Sequence, residues 1–183
     1  VEGEVALSPI QHWFFDQNFS QSHHWNQAMM LYRADGFQEA LVEEVAVKLT
    51  EHHDALRMVY TQEAGKVVQM NRGTATRAFG LHVFDVSAAA DVHVAIEQQA
   101  TQVQQAMNLE SGPLMQLGLF RTGNGDHLLI AIHHLVVDGV SWRILLEDFA
   151  WAYEQRMKGE AIVLPGKTHS YRTWSERMGV YAQ

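Results

Sequence analysis

The sequence predicts a layered α/β sandwich, in which a mixed β-sheet is flanked by helices. Two observations lead to this prediction. Segments with apolar residues at helical spacing are interspersed with short strand-like segments along the chain. The 183 residues are 47% hydrophobic and 19% charged, a composition typical of a globular unit that buries a core without disulfides or metals.

Five helices follow from apolar periodicity and from capping residues. Ser8 followed by Pro9 supplies an N-cap and a proline at the first helical position, so a short helix should run to about Gln17. In the longer segments, apolar residues recur three to four positions apart and would form one buried face. These helices are predicted at residues 37–53, 91–107, 140–157 and, as the start of a further helix, 171–178.

Short apolar runs predict six strands. Two turn-like segments join pairs of them: Glu-Ala-Gly at 63–65 indicates a hairpin, and Thr-Gly-Asn-Gly-Asp at 122–126 is a stronger turn signal. The strands are predicted at residues 25–33, 56–60, 66–70, 80–86, 114–121 and 127–132.

The composition excludes several classes of function. The absence of cysteine rules out disulfides, Cys-ligated metals and a cysteine nucleophile; a cytoplasmic location is compatible with it and is the one we expect. The net charge of −8 disfavours nucleic-acid binding, no apolar run is long enough to span a membrane, and no glycine-rich phosphate loop is present. The N-terminus lacks a signal peptide and an initiator Met, so we expect a segment of a longer protein.

The sharpest chemical feature is the segment His-His-Leu-Val-Val-Asp-Gly at 133–139, which follows a strand and precedes a helix. The end of a strand holds exposed side chains on a rigid support. Adjacent strand residues point to opposite faces, so one histidine should face the core and the other a cavity. That arrangement disfavours one shared metal, and we expect none. From these seven residues alone, two hydrogen-bonded core histidines and a catalytic base both stay open.

This segment resembles the HHxxxDG motif of non-ribosomal peptide synthetase condensation-type domains and of the wider chloramphenicol acetyltransferase-like superfamily. Residues 7–15 resemble the opening motif of the epimerization branch, Pro-Ile-Gln-x-Trp-Phe, and residues 23–27 resemble its next segment. Residues 53–60 resemble the family segment His-Glu-x-Leu-Arg-Thr-x-Phe. Val-Ser-Trp at 140–142, ending in Trp142, favours epimerization over ordinary condensation domains.

The resemblance implies a chloramphenicol acetyltransferase-like lobe. Residues 1–183 would form the N-terminal lobe of an epimerization domain, and we expect the C-terminal lobe to be absent from this chain. Such domains invert the α-carbon, L to D, of an aminoacyl or peptidyl thioester on the phosphopantetheine arm of a peptidyl carrier protein. The implied partners are that carrier protein and the C-terminal lobe, and the implied cofactor is the phosphopantetheine that the carrier presents, with none bound directly.

The resemblance also implies roles for individual residues. His134 would be one acid/base group, since the ordinary imidazole pKa of about 6.5 lies near working pH. A glutamate of the C-terminal lobe would be the second. Trp142 would be a supporting residue next to the motif.

The other motif residues carry alternatives. His133 either orients the loop or, as its opposite facing favours, packs beneath it. Asp138 is either a second base or, by analogy, the partner of Arg57 in a buried ion pair that holds the loop. Gly139 should relieve crowding at the turn. Ser141 should be the N-cap of the following helix, with a hydroxyl aimed at the substrate as the alternative.

Two other functions remain open. A condensation lobe would form a peptide bond between two carrier-bound groups, and a non-catalytic lobe would only dock a carrier protein. Because inversion needs an acid/base group on each face of the α-carbon, we expect this chain to fold but to be inactive by itself.

Overall fold

The computed structural model describes residues 1–181. The strands of this part of the chain are β1 Gly3–Val5, β2 Asn26–Arg33, β3 Met58–Glu63, β4 Lys66–Asn71, β5 Gly80–Asp85, β6 Met115–Arg121 and β7 Asp126–His133. Its α-helices are α1 Pro9–Asp16, α2 Glu39–His52, α3 Val92–Gln105, α4 Gly139–Met157 and α5 Tyr171–Tyr181. Over the same residues, no helix has the length and apolar character needed to cross a bilayer.

The main sheet is mixed, as the sequence predicts. Its strand order is β2-β7-β6-β5, and β5 and β6 are parallel whereas the other pairs are antiparallel. A second, antiparallel sheet of order β1-β4-β3 accompanies it. The hairpin between β3 and β4 is confirmed, and its turn residues Ala64 and Gly65 both have positive φ, which matches the right-handed twist of the strands. Neither β1 nor the division of the strands into two sheets is predicted by the sequence.

Helices cover both faces of the main sheet, which explains why its central strands are buried. Along β7, Leu128, Ile130 and Ile132 pack with residues of α2 and α4, whereas Leu129 packs with residues of α3. The side chains alternate because successive residues of a strand point to opposite faces. The same alternation separates the two histidines at the end of β7.

One strand begins later than predicted, for a local reason. Asp54–Arg57 forms a 3₁₀ turn, so β3 starts at Met58 rather than at residue 56. The turn brings the Arg57 guanidinium back under the end of α2, where Nη1 donates to the carbonyl oxygen atoms of Thr50 at 2.6 Å and Glu51 at 3.0 Å. The last carbonyls of a helix lack partners within it, so a cation there is favourable.

Candidate active site

His133 lies beneath the loop that follows β7 and is fully buried, with 0% exposure. Its Nε2 donates to the carbonyl of Ser22 at 2.8 Å, and its Nδ1 accepts from the backbone N–H of Leu135 at 3.2 Å. Burial lowers the pKa of His133 to about 4, so the ring is neutral near pH 7. The side chain therefore packs beneath the loop and also holds the loop backbone in place. Both alternatives predicted for His133 thus describe its position.

His134 points the other way and is half-buried. Its Nδ1 lies 2.8 Å from the carbonyl oxygen of Val137. A carbonyl only accepts, so Nδ1 carries a proton, and in the neutral ring Nε2 then presents a lone pair. The ring packs on Trp25, with 4.7 Å between ring centroids. His134 also borders a cavity of about 310 Å³ that Tyr171 and Trp174 of α5 help to line. When the ring is neutral, this geometry leaves the Nε2 lone pair as the site that accepts a proton.

Two further side chains complete the surroundings of Nε2. The Nε2 atom of Gln27 lies 3.3 Å from Nε2 of His134, and the Oε1 atom of Gln27 accepts from the indole N–H of Trp142 at 2.9 Å. Trp142 is buried in the core, on the first turn of α4. Gln27 was not predicted to be a site residue; the available signal was its position at the end of residues 23–27, the segment that resembles the epimerization branch.

Asp138 is the N-cap of α4, and the prediction that Ser141 caps this helix is wrong. One carboxylate oxygen, Oδ1, accepts from both the backbone N–H and the hydroxyl of Ser141, each at 2.7 Å. The hydrogen bond from the backbone N–H of Ser141 is the main reason that the pKa of Asp138 is lowered. Ser141 occupies the third helical position, where its N–H needs a capping acceptor.

The predicted ion pair between Arg57 and Asp138 is also wrong. Arg57 is buried, and besides the two carbonyls at the end of α2 it donates to those of Arg72 at 2.9 Å and Val1 at 3.3 Å. Five donors fixed in a planar fork suit such a set of carbonyl acceptors. Arg57 therefore ties the 3₁₀ turn to its neighbours, while the α4 N-terminus already satisfies Asp138.

The crowding expected at Gly139 is absent. This residue is the first of α4, its φ is not in the left-handed region, and a Cβ added there meets nothing within 4 Å. The turn between strand and helix does not require glycine for space.

A possible metal-ligand cluster lies away from the histidine motif. Within residues 1–181, one group of three His, Cys, Asp or Glu ligand atoms lies within 4.8 Å of one another, and it consists of His52, His53 and Asp148. Nε2 of His53 is 2.7 Å from Oδ2 of Asp148, a hydrogen bond that joins the end of α2 to α4. Burial is the main reason that the pKa of His53 is lowered. The hydrogen bond between His53 and Asp148 explains why these side chains lie close together, as a contact between the end of α2 and α4.

Comparison with known proteins establishes the family of this chain. A family model described as "Condensation domain" matches residues 1–183. The chain belongs to the condensation domain family. This condensation-family chain is 52% identical over 182 residues to gramicidin S synthase 1 from Brevibacillus brevis and 53% identical over 182 residues to tyrocidine synthase 2 from Brevibacillus parabrevis. Both matches cover 100% of the chain but only 17% and 5% of these relatives.

Solved structures give the same result for the fold. The epimerization domain from the third module of tyrocidine synthetase B superposes with a TM-score of 0.98 at 53% identity, over 100% of this chain and 42% of that one. The resemblance to the epimerization branch is thus confirmed. The starter condensation domain of rhizomide synthetase, at 22% identity, has a TM-score of 0.84 over 98% of this chain and 42% of that one, and it supports the fold alone. This condensation-family chain thus spans less than half of either solved chain.

Proposed function

We propose that this chain is part of a non-ribosomal peptide synthetase epimerization domain, which inverts the α-carbon of an aminoacyl or peptidyl thioester from L to D. The observation that carries the proposal is the His134 imidazole, whose Nδ1–H is held by the Val137 carbonyl and whose Nε2 is left as a proton acceptor. The 53% identity to a solved epimerization domain favours this reaction over condensation.

His134 would remove the α-proton. A thioester makes that proton more acidic than an amide does, but its removal still needs a base held at the correct position. The Val137 carbonyl, 2.8 Å from Nδ1, fixes the ring and stabilises the positive charge that the ring gains with the proton. The neutral, buried His133 holds the loop from below and contributes no competing charge.

The second acid/base group and the carrier protein would not be part of this chain, and Asp138 would take no part in proton transfer. Inversion needs an acid on the opposite face of the α-carbon, which we assign to a glutamate of the C-terminal lobe, and the 183-residue chain alone would then be inactive. The substrate would arrive on the phosphopantetheine of a peptidyl carrier protein. Asp138 is a poor candidate for the second base, since its carboxylate caps α4 and its pKa is lowered.

The test uses the intact domain that contains this chain, with a carrier protein loaded with an L-aminoacyl group. Chiral analysis after hydrolysis of the thioester should show a mixture of L and D forms that is also reached from the D substrate. A second loaded carrier is added as an acceptor in a parallel reaction. Amide formation without inversion would indicate a condensation domain, and carrier binding without either product would indicate a docking lobe.

A further inference from the structure

Gln27 lies directly beside the proposed base, although the sequence motifs assign it no role. It is on β2, the edge strand of the main sheet, in register with Ile132 near the end of β7. Its Nε2 atom is 3.3 Å from Nε2 of His134. Both side chains are half-buried, so both nitrogen atoms belong to groups that the solvent still reaches.

The orientation of the Gln27 amide is fixed by two neighbours. Trp142 is buried, and its indole N–H donates to Oε1 of Gln27 at 2.9 Å. An indole N–H only donates, and the unprotonated Nε2 of His134 only accepts. If the amide turned over, its N–H would face the indole N–H and its oxygen would face a lone pair. The amide N–H therefore points toward the reacting side of His134.

The hydrogen bond from Gln27 to His134 is weak in the resting site. Its length of 3.3 Å exceeds the usual 2.9–3.0 Å of N–H donors, which indicates that His134 is not the best acceptor for this group. The His134 ring does not need Gln27 for its orientation, because the Val137 carbonyl and the Trp25 ring already hold it. An N–H beside the base is thus available for a stronger acceptor.

Abstraction of the α-proton creates such an acceptor. When the α-carbon–hydrogen bond breaks, the proton goes to Nε2 of His134, the electron pair of that bond forms a double bond to the carbonyl carbon, and the carbonyl π pair moves onto the oxygen. The same step removes the lone pair with which His134 accepts from Gln27. The thioester oxygen therefore gains its negative charge in the same step in which the Gln27 N–H loses the His134 lone pair as its acceptor. A proton from an acid on the opposite face then reverses the electron shifts and completes the inversion.

We propose that Gln27 is a catalytic residue that donates its amide N–H to the thioester oxygen as that oxygen becomes an enolate, and that Trp142 is the residue that positions this donor. The carbonyl oxygen and the α-carbon of a thioester lie roughly 2.4 Å apart. The Nε2 atoms of Gln27 and His134, 3.3 Å apart, can therefore contact the carbonyl oxygen and the α-proton of one substrate at the same time. The inference rests on the proposed function, because only α-proton abstraction generates this enolate.

The test compares kcat and KM for the loaded carrier in the intact domain. Gln27→Met removes the N–H and should lower kcat by about 100-fold, the loss typical of one oxyanion donor, with KM nearly unchanged. Gln27→Glu keeps the acceptor for Trp142 but places a carboxylate beside the enolate, so its kcat should be lower still. If Gln27 only oriented His134, the carboxylate would accept from the protonated ring, and Gln27→Glu would be the more active variant.

Trp142→Phe tests the positioning role. It frees the amide to turn over and should lower kcat by about tenfold, comparable to the loss of one hydrogen bond. In the Gln27→Met background the same change should have little further effect, because the two residues act through one donor. Gln62→Met on β3 and Trp151→Phe, an exposed tryptophan of α4, are matched controls that should leave kcat unchanged.

The outcomes separate this inference from the proposed function. A wild-type domain that forms amides but does not interconvert L and D substrates overturns both. A wild-type domain that epimerizes, together with a folded Gln27→Met variant whose kcat is within about threefold of it, overturns the inference alone. Thermal melting followed by circular dichroism establishes folding, and the isosteric Gln27→Glu variant provides the test if the Met variant unfolds.

Discussion

Acidification should destabilise this protein through His133. The buried imidazole has a pKa of about 4 in the fold, against an ordinary value of 6.5 in the unfolded chain. Between these values the unfolded state binds more protons than the folded state, so the free energy of unfolding falls as the pH falls. The stabilisation is present above pH 6.5 and is lost progressively down to about pH 4.

The size of the loss follows from the shift. At about 1.4 kcal/mol per pKa unit, the His133 contribution to the free energy of unfolding should fall by about 2 kcal/mol between pH 7 and pH 5, and by about 3 kcal/mol by pH 4. Because its side chain is fully buried, solvent screening should not reduce the effect much. The half-buried His53, whose pKa is also lowered, adds a loss of the same sign.

A variant isolates the contribution of His133. His133→Gln keeps an N–H for the Ser22 carbonyl and does not titrate, so its unfolding free energy should depend less on pH by about 2 kcal/mol over the range from pH 7 to pH 5. Urea unfolding at both pH values, followed by tryptophan fluorescence, measures this difference. His93→Gln, which changes an exposed histidine of α3, is the control and should keep the wild-type dependence. The reasoning is refuted if His133→Gln also keeps it.

Further predictions concern the corrected motif residues. Arg57→Ala should lower the free energy of unfolding by about 3 kcal/mol, since it leaves buried carbonyls without a donor, and Asp138→Ala by about 1 kcal/mol through loss of the helix cap. Urea unfolding of the double variant should give a loss equal to the sum of the two single losses. A departure from that sum of more than about 0.5 kcal/mol would show that Arg57 and Asp138 interact after all. Gly139→Ala should melt at or above the wild-type temperature, because the added Cβ meets nothing. Gly36→Ala should melt well below it, because the φ of Gly36 is +76° and a Cβ would lie 2.8 Å from the Asp126 carboxylate.

The sequence predicted those features that depend on local periodicity. The helix predicted at 37–53 is observed at Glu39–His52, and the helix predicted at 140–157 is observed at Gly139–Met157. Both could be predicted because apolar residues three to four positions apart form one buried face of a helix. The opposite facing of the histidine pair followed from strand geometry in the same way. The short strand β1 escaped prediction because three residues carry no usable period and depend on β4 for their partners.

The features that depend on three-dimensional register were not predictable from spacing. The bond between Gln27 and His134 joins residues 107 positions apart, and it exists because β2 pairs with β7 in one register. The predicted Arg57–Asp138 ion pair is wrong because each side chain has its hydrogen-bond partners elsewhere. The family resemblance implied a long-range contact between these two residues. Asp138 instead caps α4, and Arg57 donates to backbone carbonyls, two of them at the end of α2.

The most direct test of the account is α-proton exchange in the intact domain with His134→Ala. An aminoacyl group deuterated at the α-carbon is loaded on the carrier protein, and loss of deuterium to water is followed by mass spectrometry. Because His134 supplies the proton acceptor on one face, the variant should exchange at least about 100-fold more slowly than wild type, while His93→Ala exchanges normally. Deuterium loss from His134→Ala at the wild-type rate would contradict the assignment of His134 as the base.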